Sequence, residues 1–237
     1  MTNDKSTSLH ILYLFLQSIN RAFDLDDLDR ERIPDWPIDR WQMWLGPAKH
    51  FLAFPVRAGR MINYVGFVPA DAEMKESWSA PGDPALLRQE FAGWDACIER
   101  LLREVQKTFR WALYDREPLA TWTRGRLTLL GDAAHPMLPH LGQGANQSIE
   151  DGIALATILA QASRASAPAA LFAYERLRRE RVALVQRDAR KNGLRYDSAY
   201  SDLGIRDAEI TAHAEFRKQL YSHDVVPDAE AAAAALV

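Results

Sequence analysis

The sequence of 237 residues predicts a fold of the α+β or α/β class, because strand and helix patterns both recur along it. Alternating apolar and polar side chains predict strands at residues 41–45, 50–56 and 61–68. Apolar residues at helical spacing predict helices within residues 84–109, 149–162 and 169–190. The run from Leu127 to Asp151 joins the two patterns, because it passes from an apolar strand through a glycine-rich loop to a helix.

The second and third strands predict a β-hairpin. Residues 57–60 (Arg-Ala-Gly-Arg) form a plausible turn between them. One alternate face of each strand is a candidate for ordinary core packing. These positions are His50, Leu52, Phe54 and Val56 on one strand, and Met61, Asn63, Val65 and Phe67 on the next. Residues 111–122 also read as extended.

The helical patterns supply a candidate core. A break near Gly93 divides residues 84–109 into two helices. The helix predicted at 149–162 has apolar residues at Ile149, Ile153, Leu155, Ala156 and Leu159, and the next has candidate core residues at Leu171, Tyr174, Leu177, Val182 and Val185. The alanine-rich stretch 229–235 predicts a frayed terminus.

The charge pattern argues against nucleic acid as a partner, because the formal net charge is −3 with no basic surplus. Arginines cluster within residues 176–190, but acidic residues alternate with them, which favours a solvated helix face. The single cysteine, Cys97, is typical of a reducing cytoplasm. The apolar run 9–16 is too short to span a membrane and is a weak signal peptide, so a helix or strand is expected there.

The loop after Leu130 has the features of a ligand-binding segment. Asp132 directly follows the strand, and glycines and prolines lead to a helix that opens near Asn146. Helix N-termini present unpaired N–H groups, and glycines let a ligand approach the backbone. A turn aspartate followed by an ordinary helix cap at Asn146 is the alternative. Glu150 and Asp151 are expected in the first helical turn, where the helix dipole favours carboxylates.

The loop histidines do not predict a metal site. His135 and His140 lie across a proline loop at a spacing that matches no zinc pattern, and no cysteine or third histidine lies nearby. We expect His135 to serve in packing and hydrogen bonding. The chain also lacks the G-x-S-x-G motif of serine hydrolases.

The run GDAAHPMLPHLGQGANQSIED resembles the second FAD-binding motif of single-component flavin-dependent aromatic hydroxylases, in particular the salicylate hydroxylase-like group. Residues 44–69 resemble the substrate-domain sheet of that group, and residues 174–197 its C-terminal helical region. The resemblance implies the C-terminal portion of a p-hydroxybenzoate hydroxylase-like FAD-binding fold, with a mixed-sheet substrate domain and C-terminal helices. It divides the chain into an unassigned segment 1–35, a substrate domain 36–122, an FAD motif 123–165 and C-terminal helices 166–237.

The resemblance also implies a function. FAD, reduced by NADH or NADPH, would react with O₂ and hydroxylate a small aromatic substrate. Asp132 would lie near the ribityl chain and phosphates, Pro139 beside the flavin ring, and the turn into the helix at its pyrimidine side. The implied cofactor-binding residues are Asp132, Pro139, Gly142, Gln143, Gly144, Ala145 and Asn146, and no residue is assigned a catalytic role. The resemblance further implies that the two strand faces named above line or back the wall of the substrate pocket, with ordinary core packing as an equal alternative.

The chain departs from this family at one large point, because no G-x-G-x-x-G motif for the FAD pyrophosphate is present. One hypothesis is an aromatic hydroxylase completed by a complementing N-terminal polypeptide or by a homo-oligomer. The other is a non-catalytic remnant or binding module. Exposed apolar surface and strand edges are expected in either case. The patterns identify neither the aromatic substrate nor the choice between NADH and NADPH.

Overall fold

The computed structural model describes residues 12–18, 40–58, 61–69, 81–113 and 116–236. The chain divides into two compact units. We call Met1–Tyr114 with Tyr196–Ala199 the sheet unit, and Asp115–Arg195 with Tyr200–Val237 the helical unit. Helices and sheets are both present, so the predicted class is confirmed. The four-part division by residue number stays a prediction.

The sheet unit is built on one six-stranded sheet. Its strands are β1 (Leu12–Ser18), β2 (Gln42–Gly46), β3 (Lys49–Val56), β4 (Met61–Pro69), β5 (Pro81–Gly82) and β6 (Thr108–Leu113). Their order across the sheet is β2-β3-β4-β1-β6-β5. Every described pairing is antiparallel.

The predicted hairpin is confirmed. β3 and β4 pair antiparallel, with His50 opposite Phe67 and Leu52 opposite Val65. Arg57 and Ala58 adopt left-handed backbone conformations, with φ of 52° and 56°, as a tight hairpin turn requires. Residues 59–60 lie outside the described residues.

The apolar run near the N-terminus supplies a strand rather than a helix. β1 lies in the middle of the sheet, between β4 and β6. Residues 12–18 therefore belong to the sheet, although the sequence patterns assigned residues 1–35 to no domain. The rest of that segment lies outside the described residues.

Two helices follow β5, as predicted. They are α1 (Pro84–Glu90) and α2 (Ala96–Glu104), and the side chains of Asp83 and Asp95 cap their N-termini. The buried face of each helix packs against one face of the sheet. The apolar core of this unit consists of Phe51, Ala53, Ile62, Tyr64, Val68, Leu87, Phe91, Ile98, Leu101, Leu102 and Val105.

The helical unit begins with the short hairpin β7 (Thr123–Arg124) and β8 (Leu127–Thr128). Helices α3 (Gly144–Ala160), α4 (Ala167–Tyr196), α5 (Leu203–Tyr221) and α6 (Val226–Ala234) follow. The predicted core residues of α4 are confirmed, because Leu171, Tyr174, Val182 and Val185 are buried and Leu177 packs against the same cluster. Residues 116–122 contain no strand, so the extended stretch predicted at 111–122 ends with β6. No described helix is long and apolar enough to cross a bilayer.

One prediction about this unit is wrong. The alanine-rich end does not fray, since Ala229 and Ala233 of α6 are buried in the core beside Ala154 and Ile158 of α3. Small side chains let these helices approach closely, which alanine content alone does not reveal. Of the apolar residues named in α3, Ile149, Ile153 and Leu159 are exposed.

Candidate functional site

The loop between β8 and α3, residues 129–143, is called the motif loop below. It starts at Leu129, whose N–H donates to the Trp122 carbonyl. A 3₁₀ turn at Gly131–Ala133 and a second at Pro139–Leu141 then lead to the start of α3. The predicted order of strand, acidic residue, glycine-rich loop and helix is therefore confirmed.

Gly131 positions the start of the motif loop. Its φ is +61°, a left-handed conformation that favours glycine. A β-carbon added at Gly131 would lie 2.8 Å from Ser148 Oγ of α3. The carbonyl of Gly131 accepts hydrogen bonds from the N–H groups of Ala134 and His135. The glycine thus allows a tight turn directly against α3, with Asp132 as the next residue.

The predicted cofactor-binding residues form an exposed strip, while their neighbours anchor the loop in the core. Asp132, Pro139, Gly142, Ala145 and Asn146 are exposed and Gly144 is half-buried. A β-carbon at Gly144 would lie 3.8 Å from Asp132 Oδ1, so the two ends of the motif come together in space. Gln143 is the exception, because its side chain is buried.

The helix starts earlier than predicted. α3 begins at Gly144 with Gln143 at the N-cap position, so Asn146 lies inside the first turn and is not the cap. No side chain caps this end. The N–H groups of Gly144, Ala145 and Asn146 therefore lack intrahelical acceptors and lie at the positive end of the helix dipole. The N–H of Gly142 is already used, since it donates to the Pro139 carbonyl.

Asp151 has a different role from the one expected of a first-turn carboxylate. No acidic residue lies in the first turn of α3, and Asp151 is fully buried further along it. Asp151 accepts hydrogen bonds from the Gly131 N–H at 3.0 Å and from Arg178 Nε at 2.8 Å. Its Oδ2 lies 2.5 Å from His135 Nε2. Burial alone would raise the pKa of Asp151, but these hydrogen bonds outweigh it and lower the pKa.

Arg178 corrects the prediction that the arginine cluster is solvated. Its side chain is 1% exposed. It donates through Nη1 to Glu150 Oε2 at 2.6 Å and through Nη2 to Gln147 Oε1 at 2.8 Å. A sequence signal for this burial exists, because Arg178 lies at helical spacing between the core residues Tyr174 and Val182.

Glu150 is held by two arginines. Besides Arg178, Arg181 Nε donates to its Oε2 at 3.0 Å. Partial burial would raise the pKa of Glu150, but the Arg181 hydrogen bond and the charge of Arg178 lower it. The two carboxylates and two guanidinium groups balance in charge, which a buried ionic cluster requires.

The two loop histidines are held within the protein. His135 is fully buried beside Trp122, with ring centroids 5.4 Å apart, and its hydrogen bond to Asp151 confirms the predicted structural role. The ring of His140 packs against Gly193, where an added β-carbon would lie 2.5 Å from it. Among the described residues, no group of three or more potential ligands could hold a metal ion.

The sheet unit has a second face, opposite the helices. Val65 and Phe67 are buried there, with Leu52 and Leu113 packed against them. His50 is buried and stacks on Phe67 with ring centroids 4.0 Å apart. The structure therefore brings four of the candidate pocket-wall residues to one face. That they contact a substrate stays a prediction.

The sequence patterns did not single out the partner of His50. Asp197 Oδ1 lies 2.7 Å from His50 Nδ1, and the Asp197 carbonyl accepts a hydrogen bond from the Ala48 N–H. Asp197 follows the end of α4, far away in sequence from β3. Only the tertiary structure shows this pair.

Comparison with known proteins assigns the chain to a family. Residues 32–189 match the family described as FAD binding domain. The chain belongs to this FAD-binding-domain family. A 3-amino-4-hydroxybenzoate 2-monooxygenase from Streptomyces platensis is 39% identical over 164 residues, which cover 69% of the chain and 41% of that protein. A salicylate hydroxylase from Pseudomonas putida is 36% identical over 234 residues, which cover 94% of the chain and 52% of that protein.

A solved structure supports the same family. The salicylate hydroxylase substrate complex is similar with a TM-score of 0.73 and 31% identity, covering 94% of the chain and 56% of the solved one. The p-hydroxybenzoate hydroxylase-like fold is thereby confirmed. The chain spans about half the length of these relatives. The family assignment therefore applies to the part of the fold that this chain contains.

The motif loop fits part of a flavin cofactor of this family. The start of α3 is uncapped, and a β-carbon at Gly142 would meet no atom within 4 Å, so space lies open in front of the backbone. Asp132 adds an exposed carboxylate beside that space. These groups suit a neutral ring with hydrogen-bond acceptors and a sugar-alcohol chain. The chain has no glycine-rich motif for a pyrophosphate.

Proposed function

We propose that this chain is the C-terminal part of an FAD-dependent aromatic hydroxylase and that its motif loop binds the flavin. The observation that carries the proposal is the exposed strip at the start of α3. There, Asp132 and the uncapped N–H groups of Gly144, Ala145 and Asn146 come together beside open space. Family membership and the names of the relatives support it.

Each residue of the strip has a physical role in this proposal. Asp132 accepts hydrogen bonds from the ribityl hydroxyl groups. The N–H groups of Gly144, Ala145 and Asn146, with the helix dipole, stabilise negative charge on the pyrimidine side of the reduced ring. They do so without reorganisation, because the helix fixes them. Pro139 shapes the space beside the ring with its rigid side chain.

Bound FAD, reduced by NADH or NADPH, would supply the activation of O₂ and the transfer of a hydroxyl group to the substrate. The protein orients the reactants and excludes water. In the sheet unit, the face with His50, Leu52, Val65 and Phe67 supplies the wall of an aromatic substrate pocket, since it is apolar and carries rings that stack. We assign the reaction to the cytoplasm, in line with the single cysteine.

We further propose that a second polypeptide segment completes the fold. It would carry the N-terminal nucleotide-binding half, on a longer chain or as a separate one. Ile149 is 61% exposed and Ile153 is 41% exposed one turn apart on α3, and the proposed segment would cover them. A homo-oligomer would cover the same surface. The competing function, a non-catalytic remnant or binding module, shares the fold and needs a partner chain to bind FAD.

The test is a flavin titration of the purified chain with two matched glycine variants. We expect the unsubstituted chain to retain FAD after desalting and Gly144→Val to lose at least about tenfold in affinity, because the valine methyl groups fill the space at the backbone. Gly152→Val is the control. It makes the same change in the same helix, where an added β-carbon meets no atom within 4 Å.

Four outcomes separate the hypotheses. Retention of FAD by the unsubstituted chain and by Gly152→Val, but not by Gly144→Val, supports the site. Equal retention by all three proteins contradicts the assignment to the motif loop. Retention only after co-expression with a family N-terminal half, without NAD(P)H oxidation in the presence of aromatic acids, supports the non-catalytic alternative. No retention in either case contradicts a flavin site on this chain.

A further inference from the structure

The buried network around Asp151 ends on the motif loop. Both oxygens of its carboxylate are used. Oδ2 accepts from the Gly131 N–H and lies 2.5 Å from His135 Nε2, while Oδ1 accepts from Arg178 Nε. Gly131 and His135 bracket Asp132, which the proposed function places on the flavin. The network therefore sets the backbone on both sides of that carboxylate.

Arg178 connects this carboxylate to α3. Its guanidinium group donates to Asp151, to Glu150 Oε2 and to both the side chain and the backbone carbonyl of Gln147. The fixed planar fork of an arginine defines these directions together. The hydrogen bonds of Arg178 and Asp151 therefore link α4, α3 and the first turn of the motif loop through one buried cluster.

Two more side chains of α4 reach the same loop. Gln186 Nε2 donates to the Pro136 carbonyl at 2.9 Å, and Asn192 Nδ2 donates to the His140 carbonyl at 2.8 Å. Both side chains are buried. α4 thus holds the loop at its start, its middle and its end.

Stability alone is a weak reason for this arrangement. A buried ion pair often contributes no more stability than apolar residues of the same volume, because desolvation offsets the attraction. A fully satisfied polar network does make one conformation much more favourable than its neighbours. In this protein, the network makes one backbone conformation of the motif loop more favourable than the others.

We propose that Asp151 and Arg178 are positioning residues, which hold the motif loop in the conformation that binds flavin and so set the affinity for it. The inference rests on the proposed flavin site. It adds two residues that need not contact the cofactor.

The test combines hydrogen exchange of the chain without flavin and FAD binding. Asp151→Asn keeps the shape but places an amide N–H₂ group against the Gly131 N–H or Arg178 Nε, both of which are donors. We expect exchange in the loop segment 131–137 to be about tenfold faster or more, as for the loss of a buried hydrogen bond to a charged group. Exchange in α2 and at Val182 and Val185 of α4 should change much less.

A second variant and a control keep the test informative. Arg178→Lys retains the buried positive charge and so favours folding, but one ammonium group cannot replace the fork. It should accelerate the same loop segment. Glu230→Gln removes an exposed carboxylate of α6 and should leave loop exchange unchanged.

Flavin binding then separates positioning from general destabilisation. Both variants should weaken FAD binding about tenfold or more and shift the absorption bands of the bound flavin toward those of free flavin. Unchanged loop exchange, or equal acceleration in the loop and at Val182, would overturn the proposal. So would unchanged FAD affinity with a loosened loop. If no FAD is retained by the unsubstituted chain, alone or co-expressed with a family N-terminal half, the proposed function fails, whereas faster loop exchange in both variants would still uphold the positioning of the loop.

Discussion

The two units of the chain bury different kinds of side chain. The sheet unit packs aromatic and aliphatic residues such as Phe51, Leu87 and Phe91 between its sheet and helices. The helical unit has an apolar core too, but beside it lie Arg178, Asp151 and other polar groups with almost no exposure. Apolar packing is tolerant of exchange within a given volume, whereas a charge network depends on every partner. The helical unit, which contains the proposed cofactor loop, therefore tolerates fewer substitutions of its buried residues.

The largest expected effect is the removal of one charge from the network. Arg178→Met should lower the free energy of unfolding by about 3–5 kcal/mol, because Asp151 and Glu150 lose a buried partner. Urea titrations measure this loss. Arg176→Met, on the exposed side of the same helix, is the matched control and should change stability by less than about 0.5 kcal/mol. Equal losses in the two variants would contradict the buried network.

A smaller effect is expected from acid. The pKa values of Asp151 and Glu150 are lowered in the folded protein, so the unfolded chain binds more protons in acid. Their contribution is fully present above about pH 4.3, the ordinary range of unfolded carboxylates, and is lost as pH falls through the lower folded values. His223, whose pKa burial and the charge of Arg181 lower, adds a loss of the same sign below about pH 6.5.

Unfolding free energies between neutral pH and about pH 3 measure this dependence. The slope of the unfolding free energy against pH should become shallower in Arg178→Met, because the carboxylates of Asp151 and Glu150 then lose the guanidinium group that lowers their pKa. Asp95→Asn is the control in the sheet unit. Its carboxylate is exposed, and asparagine caps a helix equally well, so the slope should persist. A slope that disappears in Asp95→Asn would place the acid sensitivity in the sheet unit.

The smallest effect is expected in the apolar core. Leu87 is fully buried between α1 and the sheet, and Leu87→Met nearly conserves its volume. The loss in unfolding free energy should stay below about 1.5 kcal/mol. Trp41→Met, at a side chain that is 55% exposed, gives the surface reference. A loss in Leu87→Met as large as that in Arg178→Met would remove the contrast between the units.

Much of the fold could be predicted from the sequence. The hairpin of β3 and β4, the two helices after it and the core of α4 follow from alternation and helical spacing. The family motif identified the loop and the helix start to within two residues. These features are local, because they depend on residues close together in the chain.

Other features of the fold could not be predicted from local sequence patterns. Small residues at the close approach of α6 to α3 were taken for a fraying end. Arg178 was counted among solvated arginines, although its helical spacing relative to Tyr174 and Val182 places it on the core side. Whether a charged side chain is solvated or buried depends on the partners that other elements bring to it.

Periodicity and turn chemistry in the sequence predicted the class of the fold, its hairpin and helices, and the loop on which a flavin site is proposed, because these signals act over a few residues. The meeting of Asp151 with His135 and Arg178, the pairing of Asp197 with His50 and the packing of α6 on α3 appear only in the folded structure. Those contacts join residues far apart in the chain. Their free energy depends on partners that only folding brings together, since attraction between the polar partners must offset their desolvation.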